Sequence, residues 1–378
     1  MTQDSVKNNF IKRWWRVIDQ QTIIAVVILV SFSLMLVTTA SPAVANRIGL
    51  TDNYFSSRHV IFLALAAIIV LFFSSLDKKW IRRFAILGFL ISLVMLVLVK
   101  LYGFEVKGAT RWINVAGFSY QPSEFMKPFF AVVTGWVLSL QYYEEFPSFK
   151  ACFILFVLVA VLLIIQPDFG MLVMVSAVFG IQLFVAGLPI IWIFMAVFGA
   201  ISGSVGAYLL LPHVAARINK FLDPVNSENY QVTKSLEAFE SGGLYGKGPG
   251  EGLVKQYLPD SHTDFIFAVA GEEFGAIICL MIVLTFAYIV IRTLVNLLDE
   301  DDKFIQIASI GIISQFGLQA VINIGVTLNL LPTKGMTLPF ISYGGSSTLA
   351  ISIGIGMLLA LTKRKTSLVK YRLQNVEV

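Results

Sequence analysis

Long apolar runs, separated by short polar segments, dominate the chain. A helix of about 17–25 apolar residues crosses a bilayer, and ten such stretches can be outlined. Their predicted bounds are 21–41, 59–76, 84–101, 125–141, 150–166, 170–186, 190–211, 270–292, 304–330 and 345–362. The long period-two alternation typical of membrane barrels is absent from the sequence. The pattern predicts an all-α, polytopic membrane protein of about ten transmembrane helices, with residues 1–378 forming one integral membrane domain.

The composition agrees with a membrane protein. Hydrophobic residues make up 57% of the chain and charged residues 13%, whereas soluble domains carry about 25% charged residues. The net charge of +5 therefore bears on membrane orientation, and no nucleic-acid partner is expected. Cys152 and Cys279 lie inside apolar runs and the three histidines are far apart, which argues against a disulfide framework or a metal site of these residues.

The basic residues predict the orientation. They concentrate at the N-terminus, in the loop around residues 78–83 and in the tail after residue 362, and such loops face the cytoplasm. With ten spans all three lie on the same side, so both termini are predicted to be cytoplasmic. Ala43-Val44-Ala45 resembles a signal-peptide cleavage site. The preceding apolar run exceeds the roughly 7–15 residues of a signal core, so we expect an uncleaved anchor.

The unusual polar residues concentrate on the opposite, outer side. That side holds the 102–124 loop, the 166–169 turn, the 331–344 loop and a large loop, 212–264, between spans seven and eight. The cytoplasmic loops hold mostly anchoring charges. This asymmetry predicts that the working surface is on the outer face.

The most informative stretch is 257–267, at the entrance to the eighth span. Asp260, His262 and Asp264 precede the span, which then carries Glu272 into apolar surroundings. Ionisable groups at membrane depth are costly and mark functional sites. In a helix, eight residues turn about 80° beyond two full circles, so Asp264 and Glu272 could share a broad face. Capping of the following helix is the structural alternative for Asp264.

Three further residues stand out around the fourth span. Arg111 suits bidentate phosphate contacts, and Trp112 suits an apolar–polar boundary; an interfacial anchor explains the pair equally well. Lys127 follows the start of an apolar run, so it needs a partner or a water-filled cavity. Asp168 in the 166–169 turn is predicted mainly to cap the next helix.

Two glycine-containing loops are less specific. Gly344-Gly345 opens the last span, where backbone N–H groups could receive an anion, and Lys334 adds a cation on the same side. A re-entrant turn is the structural alternative. Residues 242–252 are rich in glycine but lack the Gly-Lys-Ser/Thr of a phosphate-binding loop. They predict flexible turns or a backbone cradle for an extended substrate.

Six motifs together resemble the SEDS family of polytopic cell-wall proteins, over essentially all ten spans. The motifs are Gly108–Trp112, Gln121–Glu124, Gln166–Gly170, Leu258–Ile266, Glu272–Gly275 and Pro339–Ser346. Residues 333–340 and 242–252 look like the cell-division branch of the family. Pro259-Asp260 stands where many relatives have Pro-Glu, a departure that keeps the acid.

The resemblance implies a peptidoglycan glycosyltransferase. It would polymerise lipid II, a disaccharide-pentapeptide on undecaprenyl pyrophosphate, at the outer face of the cytoplasmic (inner) membrane. The expected location is the division septum, with a class B penicillin-binding protein and other division proteins as partners. The resemblance also implies a divalent cation, Mg or Mn, without indicating its ligands.

These expectations assign roles to particular residues. A carboxylate must take the proton of the attacking sugar hydroxyl, and Asp264 is the predicted general base. Cations must stabilise the leaving pyrophosphate, and Glu272 is a possible supporting acid. The predicted substrate-binding residues are Arg111, Trp112, Lys127, His262, Glu272, Lys334 and Ser342.

Two other functions use the same residues. A lipid II flippase would line a path for the head group with them, but it should also carry polar residues in the cytoplasmic half of its spans, and often repeats. A scaffold would recruit and activate the class B penicillin-binding protein. The concentration of ionisable residues on the outer side favours an enzyme over both.

Overall fold

The computed structural model describes residues 12–106, 109–115, 118–210, 230–332 and 335–363. Within them, the helices longer than ten residues are α1 (Gln20–Arg47), α2 (Tyr54–Ser75), α3 (Lys78–Tyr102), α4 (Pro122–Ser139), α5 (Ser148–Ile165), α6 (Phe169–Val185), α7 (Ile190–Leu210), α8 (Tyr230–Gly242), α9 (Ile266–Leu298), α10 (Lys303–Thr327) and α11 (Gly345–Leu361). Lys334 lies outside the described residues, as do 212–229 of the predicted large loop and the tail after 363.

The helical membrane architecture is confirmed. Each predicted span falls on one of the helices α1–α7 or α9–α11, with bounds that differ by a few residues. Six described helices, α1, α2, α3, α5, α9 and α10, are long and apolar enough to cross a membrane by length and composition. The helices α6 and α11 are apolar but shorter. The exact number of ten crossings stays a prediction.

A buried polar contact holds three of the helices together. Gln182 of α6 is fully buried, accepts a hydrogen bond from Thr134 Oγ1 of α4 at 2.8 Å and donates to the Ile307 carbonyl of α10 at 3.2 Å. At the α4–α10 contact, a Cβ on Gly135 would lie 2.6 Å from the Cα of Ala308. Small residues of this kind let membrane helices approach closely. This packing sets α10 beside α4, which positions the site described below.

The 102–124 loop contains a small antiparallel sheet that the hydrophobic pattern did not predict. Its strands are β1 (Phe104–Val106), β2 (Ala109–Val115) and β3 (Phe118–Tyr120), in the order β1-β2-β3. Phe104 pairs with Trp112, and Ile113 pairs with Tyr120. The β-branched and aromatic residues of β2 (Thr110, Trp112, Ile113 and Val115) suit a pleated surface, but two of the strands are too short to show a period. The sheet holds Arg111 and Trp112 between the end of α3 and the start of α4.

Helix α9 is broken at Gly275, whose φ is +78°. The break frees backbone groups on both sides, and the glycine-rich loop satisfies them. The amides of Lys247 and Gly248 donate to the carbonyls of Glu272 and Glu273 at 3.0 and 2.9 Å. The loop is therefore paired with the helix backbone through ordered hydrogen bonds.

Close packing explains the glycines of this loop. A Cβ on Gly242 would lie 1.9 Å from the carbonyl oxygen of Gly271, and one on Gly246 would lie 2.2 Å from that of Glu273. Gly246 also has a φ of +78°, which non-glycine residues rarely adopt. Because two loop amides already bind α9, the loop fits neither of the two interpretations drawn from sequence. It is a docked structural segment.

Candidate active site

Asp264 ends the predicted outer loop, directly before α9. The N-cap of α9 is Phe265, so Asp264 does not occupy the capping position that the structural alternative required. Its side chain is half-buried, and its Oδ2 lies 3.3 Å from the position of a Cβ built on Gly335. The Asn323 amide of α10 donates to the Asp264 carbonyl at 2.8 Å and to the Met336 carbonyl at 2.6 Å. One α10 side chain thus joins the Asp264 loop to the 335–344 segment.

Ser342 is the second connection between these two segments. Its hydroxyl donates to the Thr263 carbonyl at 2.5 Å and accepts from the Leu338 amide at 2.8 Å. The Tyr343 amide donates to the His262 carbonyl at 2.9 Å. The structure brings Ser342 to the predicted site, where its hydroxyl holds the loops next to Asp264. Its contact with substrate stays a prediction.

The His262 ring packs against two aromatic side chains. Its ring centroid lies 4.5 Å from that of Phe55 and 5.3 Å from that of Tyr343. Burial lowers the pKa of His262 to about 4, although the nearby Asp260 charge opposes the shift. Its Nδ1 has no hydrogen-bond partner within the described part of the chain. The imidazole is therefore neutral at physiological pH and contributes no positive charge to phosphate binding.

Lys127 of α4 is buried and has the partner that its position requires. Its Nζ lies 3.0 Å from Glu124 Oε2 and donates to Gln319 Oε1 of α10 at 2.9 Å. Gln319 in turn donates to the Thr337 carbonyl at 3.0 Å. A buried ion pair needs such additional hydrogen bonds to offset the loss of water. The pair ties α4 to α10 and to the 335–344 segment.

One face of α10 organises these contacts. Gln319 and Asn323 are four residues apart, hence neighbours on a helix surface; Gln319 holds Lys127 and Asn323 holds the Asp264 backbone. Neither amide was predicted as a site residue, because span nine is apolar over most of its length. Their polar side chains inside a predicted span were the available signal.

Arg111 contacts the 166–169 turn. Its Nη2 donates to the Pro167 carbonyl at 2.5 Å, and its Nη1 lies 3.6 Å from Asp168 Oδ1. Asp168 caps α6, accepting from the Met171 amide at 3.4 Å, as its sequence position predicts. Burial raises the pKa of Asp168, and the Arg111 charge works against that shift. Trp112 is half-buried on the same strand.

Glu272 has only structural contacts. It is fully buried, and its two carboxylate oxygens accept from the amides of Val254 and Lys255 at 2.7 and 2.9 Å. It therefore binds the start of the short 3₁₀ helix Val254–Gln256. The prediction that Asp264 and Glu272 share a helix face required a helix that includes residue 264, whereas α9 begins at Ile266. A catalytic role for Glu272 stays a prediction.

Two predicted features are not tested by these contacts. Lys334 lies outside the described residues. Within the described ranges, no group of three or more His, Cys, Asp or Glu side chains could hold a metal ion. The Mg or Mn expectation therefore stays a prediction.

Comparison with known proteins places this arrangement in a family. A family model described as "cell cycle protein" and covering FtsW, RodA and SpoVE matches residues 20–367. A probable peptidoglycan glycosyltransferase FtsW from Caulobacter vibrioides is 42% identical over 93% of this chain and 91% of its own length. The protein of the same name from Escherichia coli O157:H7 is 34% identical over 88% of this chain and 83% of its own.

Solved structures share the fold. A chain from a peptidoglycan synthase complex that coordinates polymerization and crosslinking has a TM-score of 0.78 at 24% identity, covering 92% of this chain and 98% of its own. The rod shape determining protein RodA of Thermus thermophilus has a TM-score of 0.69 at 24% identity, covering 92% and 97%. With the family match and the identity to named relatives, the chain belongs to the FtsW/RodA/SpoVE family of cell cycle proteins.

Proposed function

We propose that this protein is a peptidoglycan glycosyltransferase that polymerises lipid II at the outer face of the cytoplasmic membrane during cell division. Its relatives at 42% and 34% identity carry the name of that enzyme. The observation that carries the proposal is Asp264. A half-buried carboxylate ends an outer loop directly before a membrane-spanning helix, and Asn323, Thr263 and Ser342 fix its surroundings. A base for a membrane-tethered substrate must be located there.

The reaction requires one proton transfer and one leaving group. Asp264 takes the proton of the attacking sugar hydroxyl, whose oxygen forms the new bond to the anomeric carbon. The bond from that carbon to the pyrophosphate oxygen breaks, and the pyrophosphate leaves with the electron pair. Positioned charges that favour the developing negative charge lower the barrier.

The candidate phosphate partners differ in how accessible they are. The side chain of Arg111 is 31% exposed, so its guanidinium can reach a phosphate while keeping the Pro167 contact. Lys127 is buried and already contacts Glu124 and Gln319, so contact with phosphate requires the Lys127–Glu124 ion pair to separate. Arg111 is therefore the better-supported phosphate partner among the described cations. Lys334 keeps the role predicted from sequence.

The proposed orientation, partners and location of the protein are inferred from its family and from its charge pattern. The cytoplasmic termini follow from the basic loops. The class B penicillin-binding protein is supported by the fold shared with a chain from a peptidoglycan synthase complex. The septal location and the association with other division proteins follow from the similarity to FtsW proteins.

The test is polymerisation of fluorescent lipid II by the purified protein, alone and with its class B penicillin-binding protein. The proposal predicts glycan strands resolved on a gel, with the crosslinking site of the partner blocked by a β-lactam. Movement of lipid II across vesicle membranes without glycan would support a flippase instead. Recruitment of the partner with neither activity would support a scaffold.

A further inference from the structure

A buried polar pair contacts the 335–344 segment. Ser33 of α1 and His59 of α2 are each at most 1% exposed. The Ser33 oxygen lies 2.6 Å from His59 Nε2 and 2.8 Å from the carbonyl oxygen of Ile341. Ile341 is 308 residues from Ser33 in sequence. The proposed reaction uses neither side chain directly.

The direction of these two hydrogen bonds follows from proton counting. A carbonyl oxygen only accepts, and a serine hydroxyl has one proton to donate. Ser33 must give that proton to Ile341, so His59 must donate its Nε2 hydrogen to the Ser33 oxygen. The result is a directed chain from His59 through Ser33 to the backbone of Ile341. Removal of Ser33 leaves both the His59 N–H and the Ile341 carbonyl without this partner, whereas removal of His59 leaves the Ser33 oxygen without its donor.

The carbonyl at the end of this chain belongs to a strained turn. Phe340, directly before it, has a φ of +59°, which is unusual for a bulky residue. Strained residues persist only where their surroundings over-determine them, and they cluster at functional sites. The turn continues into Ser342 and Tyr343, which bind the carbonyls of Thr263 and His262. The next residue after Thr263 is Asp264.

We infer that His59 is a positioning residue for glycosyl transfer. Acting through Ser33 and Ile341, it holds the turn that sets the Asp264 carboxylate against the substrate hydroxyl. It touches no substrate itself. The inference deepens the proposed function and rests on it. Misplacement of a reacting group by about 1 Å can cost up to about 10²-fold in rate.

The experiment is a double-mutant cycle in lipid II polymerisation by the complex with the class B penicillin-binding protein. The variants are His59→Leu, Ser33→Ala and the two combined. His59→Gln keeps an N–H donor near the position of Nε2. Ser31→Ala is the matched control. Ser31 is exposed on α1, the helix that carries Ser33, and its hydroxyl donates to the Val27 carbonyl of the same helix. Thermal midpoint and partner binding are measured for each.

We expect His59→Leu and Ser33→Ala each to lower kcat by about 10- to 10²-fold, with KM changed less than twofold. The double variant should be no slower than the slower single variant, because one chain is broken either way. His59→Gln should recover most of the activity, and Ser31→Ala should match the parent.

Fold-changes that multiply in the double variant would overturn the inference. So would full activity of Ser33→Ala, a loss of kcat that only follows a loss of folded protein, or His59→Gln as slow as His59→Leu. An inactive parent complex would instead contradict the proposed function, so the two failures are distinguishable.

Discussion

At the scale of single residues, the physical cost of ionisable groups near apolar runs was enough to find Asp264, His262 and Lys127. That cost applies to any fold, so it can be evaluated from the sequence. The partners could not be predicted in the same way. Lys127 bonds Gln319, which is 192 residues away, and only the packing of α4 against α10 brings the two together. The hydrogen bonds from the Val254 and Lys255 amides to the Glu272 carboxylate were likewise not predictable, because they depend on how the preceding loop packs against α9.

The burial of His262 gives a pH-dependent prediction. Its folded-state pKa of about 4 lies below the ordinary histidine value of 6.5, so the unfolded chain binds more protons between these values. This contribution to stability is complete above pH 6.5 and is lost as the pH falls towards 4. Between pH 7.5 and 5 it amounts to about 2 kcal/mol.

The measurement compares thermal unfolding of the parent and of His262→Gln at the two pH values. The parent should lose more stability on acidification than the variant does. Equal losses in the two proteins would show that His262 does not titrate with a lowered pKa.

At the scale of elements, helices were predictable because each long apolar run is a local signal. The sheet β1-β2-β3 and the break in α9 were not. Two strands of the sheet have three residues each, too few to show a period. The break at Gly275 depends on hydrogen bonds from Lys247 and Gly248, and the glycines alone do not reveal that docking.

The docked loop predicts unequal costs for two glycine substitutions. Gly246→Ala and Gly250→Ala both place a side chain at positive φ. Only the first meets the backbone of Glu273, since nothing lies within 4 Å of a Cβ built on Gly250. Thermal midpoints should rank parent, Gly250→Ala, Gly246→Ala in falling order. Overpacking should cost Gly246→Ala about 1–3 kcal/mol beyond its control. Equal midpoints for the two variants would contradict the docking.

A buried ion pair anchors the same segment. Lys255 pairs with Glu273 and also donates to the Thr39 carbonyl of α1 at 3.0 Å. Lys255→Met leaves a buried, unpaired carboxylate, which should destabilise the protein by about 3–5 kcal/mol. Lys234→Met is the control, because its pair with Glu237 is solvent-exposed and should matter little. Thermal unfolding of both variants tests this, and similar losses would show that the buried pair has no special role.

At the scale of the whole molecule, hydropathy and composition were sufficient for the fold class. Ten predicted spans fall on ten helices, because burial in lipid leaves few alternatives to helix. The arrangement of the helices was not predictable, since contacts such as Gly135 with Ala308 follow no local pattern. The orientation rests on the basic loops alone.

Cysteine labelling tests the orientation. The native Cys152 and Cys279 are buried and can be replaced by Ala. Tyr245→Cys, in the outer loop and 82% exposed, should react with an impermeant reagent added to intact spheroplasts. Lys79→Cys, exposed in a predicted cytoplasmic loop, should react only after lysis. The reverse pattern would place every site residue on the wrong side of the membrane.

The most direct test of the central claim is lipid II polymerisation by Asp264→Asn in complex with the class B penicillin-binding protein. Phe265, rather than Asp264, caps α9, and Asn preserves size and polarity while removing the proton acceptor. The account predicts a variant with parental stability and partner binding whose rate falls by about 10²–10⁴-fold. Polymerisation close to the parental rate would contradict a general base at Asp264.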